Sequence, residues 1–149
     1  MVGQLKCQGE SKISAEAHSL RAILAAHWTG TGKVSELAKK SPDLLPPLTE
    51  LLLIDREASI RRDAGWALHS ITSQARDPLS ETIIESLGKA LGDPDPNVRN
   101  AAANALGGYV MSLERAGVSR SSIKEVLLPA MPYVIRYGYD KYDPMNGQL

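Results

Sequence analysis

The sequence predicts an all-α fold, a solenoid of antiparallel helical hairpins stacked into one domain. Three observations carry the prediction. Leu and Ala dominate the apolar residues and phenylalanine is absent, which favours helix packed on helix over a β-sandwich. A string of 14 residues beginning at Asp55 recurs, without a gap, beginning at Asp93. Within both copies the apolar residues repeat with the period of an amphipathic helix.

The two copies are Asp55 to Leu68 and Asp93 to Leu106, at an offset of 38 residues. Asp, Arg, Ala, Ala and Leu recur at fixed places, and Ile60 matches Val98. Ile60, Ala64, Ala67, Leu68 and Ile71 form one stripe, as do Val98, Ala102, Ala105, Leu106 and Tyr109. Small alanines in such a stripe let a neighbouring helix approach closely.

Each of these helices follows another. Ser41 is an expected N-cap, with Pro42 at the first helical position and Asp43 beside the helix dipole. Leu44, Leu45, Leu48, Leu51 and Leu52 supply an apolar face, and Pro46 and Pro47 should bend this helix early because neither carries an amide donor. Its counterpart begins near Ser80, carries Ile83, Ile84, Leu87 and Leu91, and is closed by the turn residues Gly92 to Pro96. Ile13, Ala17, Leu20, Leu24 and Trp28 form an earlier stripe capped by Ser14. A loop over Thr29 to Gly32 and a short helix with Val34, Leu37 and Ala38 follow. Near the end, Ile123, Val126, Leu127, Ala130 and Val134 predict a helix bent at Pro129 and Pro132. The sum is three hairpins and one extra helix. A hairpin cannot bury its own apolar face, so stacking makes the core. The expected boundaries are a flexible N-terminus over 1–12, the helical domain over 13–137, and an irregular Tyr-, Asp- and Gly-containing tail over 138–149.

At Pro47, Asp55, Arg61, Ala64, Ala67 and Leu68 the chain resembles a HEAT repeat, and Leu91 to Arg99 is similar to the bacterial and archaeal HEAT-like type. The second copy departs from the pattern at Glu85, where a proline is usual, and the last segment puts Asn146 where the arginine belongs. The resemblance spans about Ser41 to Val110. It implies a right-handed α-solenoid of about three HEAT-like repeats plus the extra helix. It also implies that Asp55, Arg61, Asp93 and Arg99 form a structural ladder between repeats; the six-residue spacing also bridges a turn, so helix capping alone is the alternative for the aspartates. The second helices are expected to line the concave surface. On the helical wheel Arg62, Trp66, His69 and Ser73 then face outward, with Asn100, Asn104, Gly107 and Met111 at the equivalent places. Trp66 is the centre of the expected partner-binding face, because aromatic and Arg residues are enriched at binding hot spots. Tyr133, Tyr137, Tyr139 and Tyr142, with Arg136 and Lys141, are expected to cap the open end or to support self-association.

The same residues give little sign of chemistry. Gly30-Thr31-Gly32-Lys33 lacks the spacing and the Ser or Thr of a phosphate loop. His18, His27 and His69 stand at no zinc spacing, Asp140 and Asp143 lack the rest of an EF-hand loop, and Glu81 and Glu85 lie on a solvated helix face. No catalytic residue, metal or cofactor is expected. Seventeen basic and 17 acidic side chains cancel, which counts against nucleic acid. No apolar run reaches the length of a membrane span, and the single Cys7 points to a reducing, cytoplasmic setting. The expected function is a non-catalytic protein-binding scaffold or adaptor with a protein or peptide ligand. The resemblance leaves two alternatives open: a bilin lyase, and, behind it, a nucleic-acid-binding protein like the HEAT-like alkylpurine DNA glycosylases.

Overall fold

The computed structural model describes residues 13–26, 30–76 and 78–137. Among these there is no strand. The helices are α1 (Ala15–Ala26), α2 (Gly30–Lys40), α3 (Leu45–Ile54), α4 (Ala58–Thr72), α5 (Glu81–Ala90), α6 (Pro96–Arg115), α7 (Arg120–Leu127) and α8 (Met131–Tyr137). A 3-10 turn, Pro42–Leu44, leads into α3, and another, Leu128–Ala130, joins α7 to α8. Pairs α1–α2, α3–α4 and α5–α6 are the hairpins. Hairpin stacks on hairpin: α4 packs along α2 and α6, α3 along α1 and α5, and α8 with its preceding turn covers α5.

Both predicted stripes are buried, from Ile60 to Ile71 on α4 and from Val98 to Tyr109 on α6. The most extensive helix pairing is α4 with α6, and small residues let the two approach. A Cβ at Gly65 would lie 2.8 Å from the Cβ of Ala101, closer than side-chain carbons tolerate, so the backbones meet where neither residue carries bulk. The Thr72 hydroxyl donates to the Ala105 carbonyl at 2.8 Å, joining the same two helices with a buried polar bond. Leu79 N–H donates to the Tyr109 hydroxyl at 2.6 Å, which fixes the α4–α5 connection against the buried ring.

Helix starts follow their residues, with three corrections. Ser14 accepts from Ala17 N–H, Ser80 from Ile83 N–H, and Asp95 from Asn97 N–H at 2.7 Å. Ser41 caps only the 3-10 turn and makes no side-chain cap bond. The α-helix starts afresh at Leu45, with Pro46 and Pro47 in its first turn where their missing donors cost nothing. Gly30 to Gly32 are helical rather than a loop: α2 begins at Gly30, which is buried against the backbone of Ile23, where a Cβ would collide with the Ile23 carbonyl. Neither aspartate is itself an N-cap: that position is Glu57 in α4, without a side-chain cap bond, and Asp95 in α6. The predicted end cap is seen in its described part. Tyr133 packs on Gly88, the Tyr137 ring lies directly on Gly92, and the Arg136 guanidinium stands 5.5 Å from the centre of that ring. Tyr139, Tyr142, Lys141, Asp140, Asp143 and Asn146 lie outside the described residues, as do Cys7, His27 and Trp28.

Candidate functional site

The joints between hairpins hold the row of second helices in register. Asp93, in the turn before α6, receives Arg61 of α4 through two parallel bonds, Nε to Oδ2 at 2.8 Å and Nη2 to Oδ1 at 3.1 Å. Both side chains are largely buried. The third nitrogen of Arg61 donates to the Asp55 carbonyl at 2.8 Å, so one guanidinium ties its own turn to the next. Asp93 also accepts Asp95 N–H at 2.9 Å, just as Asp55 accepts Glu57 N–H at 2.9 Å. Arg99 repeats the inward half of the pattern, donating to the Asp93 carbonyl at 2.7 Å. Asp55 receives a guanidinium from an unexpected place, Arg21 in the middle of α1, at 2.7 Å. That carboxylate, with Glu57 at 3.1 Å, holds Arg21 charged and raises its pKa above the ordinary value.

With α2, α3 and α6 against it, α4 has one open side. Trp66 stands there, half-buried, with its ring edge-on to His69 at a centroid distance of 5.5 Å and 84° between planes. His69 lies against α6 at Gly108, and burial lowers its pKa, so the neutral ring is favoured. Arg62 pairs with the adjacent Asp63 at 3.0 Å. Ser73 donates to the His69 carbonyl at 2.7 Å. On α6 the Asn104 amide donates to the carbonyl of Asn100 and to its Oδ1, at 2.8 and 3.0 Å, so the two amides are joined rather than presented separately. Met111 is exposed, and a Cβ at Gly107 would meet nothing within 4 Å. The face therefore mixes one large ring, a thioether, hydroxyls and amides. Among the described residues no cluster of His, Cys, Asp and Glu suits a metal, and no helix is long and apolar enough to cross a membrane.

Two recesses flank this face. An apolar one of about 1090 Å³ is lined by Ile23 and Ala26 of α1, Leu37 of α2, and Ser70 and Gln74 at the end of α4. A polar one of about 840 Å³ lies between the ends of α4 and α6, lined by Ser73, Gln74, Arg76, Ser112 and Arg115. Gln74 borders both. Of the residues expected to bind a partner, Ser73 alone lines one of these two recesses, and Trp66 lines neither. The sequence grouped Leu37 with Val34 and Ala38 as the apolar residues of a short helix, yet Leu37 is 42 % exposed and opens the first recess. An apolar residue facing out at the edge of that group was the available signal.

The repeat, the stripes and the paired Arg–Asp joints agree with a comparison against known families. Residues 46–116 match the family described as HEAT repeats. No curated protein and no solved structure matches the chain. The two central hairpins, residues 46–116, are therefore HEAT repeats.

Proposed function

We propose that the chain is a non-catalytic scaffold or adaptor, acting in the cytoplasm, that holds a segment of a partner protein along the open side of α2, α4 and α6. HEAT repeats generally serve as scaffolds for protein interactions. Trp66 carries the proposal. It stands on the open side of α4, keeps part of its indole in contact with solvent, and is steadied by His69 and ringed by polar groups. A rigid, partly desolvated aromatic surrounded by groups that can exclude water is the usual anatomy of a binding hot spot. The residues assigned to contact are Arg62, Trp66, His69, Ser73, Asn100, Asn104 and Met111. The domain that presents them covers 13–137.

The test compares three forms of the full-length chain immobilised in native lysate. The unaltered chain and a Glu81→Ala variant, changed on the far side of the molecule, should capture the same partner. Trp66→Ala should lose it while keeping the helical circular dichroism of the parent. Capture undiminished in Trp66→Ala would refute the assignment of the face.

A further inference from the structure

The formal charge of the chain is zero, but the edge formed by the C-terminal ends of α2, α4 and α6 is not neutral. Lys39 and Lys40 line the first recess at this edge, with Lys33 nearer the start of α2, and Arg76 and Arg115 line the second, against Glu36 alone. Glu36 lies 3.8 Å from Lys39, so it offsets one of these cations. Parallel packing explains the accumulation. Each helix tolerates cations in its last turn because they oppose its dipole, and Lys39, Lys40 and Arg115 sit in such turns. Aligned helices then bring these residues to one edge.

The two arginines differ from those that hold the fold. Arg21 and Arg61, at the joints between hairpins, each have a carboxylate within ion-pair distance. Among the described residues, Arg76 and Arg115 have none. The other donors of their recess are already spent: the Ser73 hydroxyl donates to the His69 carbonyl and the Ser112 hydroxyl to the Ala75 carbonyl. What remains to bind a ligand is two guanidiniums and the Gln74 carboxamide, a donor set suited to a planar carboxylate. Beside it, across Gln74, lies the apolar recess with Leu37.

We propose that Arg76 and Arg115 bind an Asp or Glu of the partner protein, whose neighbouring apolar side chain enters the recess at Leu37. The proposal rests on the docking face described above and gives that face a polarity. An acidic protein segment fits better than a phosphate backbone, because a segment supplies an apolar side chain next to the charge.

Random peptides of about 12 residues, a length that spans such a groove, are selected on the full-length chain. They are selected separately on the double variant Arg76→Glu/Arg115→Glu, whose helical content and melting are checked first. Peptides from the unaltered chain should be enriched in Asp or Glu beside an apolar residue. They should bind the double variant about tenfold more weakly, the loss expected for two exposed charge pairs. Selection on the double variant should lose the acidic preference. Peptides that depend on Trp66 but show no acidic preference would overturn the carboxylate site and leave the docking face standing. Failure to select any peptide would overturn both. Displacement of bound peptide by an equal concentration of single- or double-stranded DNA would overturn the protein ligand in favour of a phosphate backbone.

Discussion

The joint between the second and third hairpins is closed, and the joint between the first and second is open. At the former, Gly65 meets Ala101, Thr72 bonds Ala105, and Arg61 and Asp93 pair with little exposure. At the latter, Arg21 reaches Asp55 from the other helix of its hairpin, Glu50 takes the Ser14 N–H at 2.9 Å, and Leu37 faces a recess. The closed joint is where the sequence repeats itself, and the open one is where it departs from the repeat. Regularity serves stacking, and the departure leaves apolar surface for something else to cover.

This contrast can be broken in four ways, taken from the largest effect to the smallest. Asp93→Ala leaves the Arg61 guanidinium buried without its carboxylate and Asp95 N–H without an acceptor. It should cost about 3 kcal/mol in denaturant unfolding. A loss under about 1 kcal/mol, the size of an exposed pair, would show that the joint is not sealed. Gly65→Val forces a branched side chain into Ala101 and should cost about 2 kcal/mol. The same change at Gly107, where there is open space, should be neutral or slightly stabilising, because valine is the better helix former. Arg21→Met, at the open joint, should cost about 2 kcal/mol: Asp55, 2 % exposed, loses its guanidinium but keeps the Glu57 N–H, while the arginine is 22 % exposed and its methylenes are replaced in kind. If it matched Asp93→Ala, the two joints would be equivalent and the comparison would fail.

The smallest effect is on pH dependence. Burial lowers the pKa of His69 below its ordinary 6.5 in the folded chain. The unfolded chain therefore takes up a proton first as pH falls, so His69 stabilises the fold above that value and the contribution is lost as pH drops through it. Between pH 7.5 and 5.5, His69→Gln should flatten the decline in melting temperature relative to the unaltered chain. A steeper decline in the variant would contradict the assigned sign.

Much of this architecture was legible in the residues. The 38-residue offset and the stripes from Ile60 and Val98 located α4 and α6 and kept Trp66 out of the buried stripe, because helical periodicity fixes which residues face a neighbour. Arg21 was not legible. Its partner lies 34 residues away, and it serves from the first helix of its hairpin, so no alignment of repeats marks it. The helical start at Gly30 was hidden because a glycine pair resembles a turn until the close approach of Ile23 is known. The cationic edge was hidden by arithmetic: its members are spread from Lys39 to Arg115, and a neutral total conceals a local excess that only parallel packing assembles.

The central claim is that a partner lies along the edge where α2, α4 and α6 end, next to Trp66. The most direct measurement is a map of backbone amide shifts in the full-length chain on titration with a peptide selected as above. Shifts should concentrate in 33–40, 66–76 and 111–116 and saturate with one affinity. Shifts confined to α5, α7 and α8, with those three stretches unmoved, would contradict it.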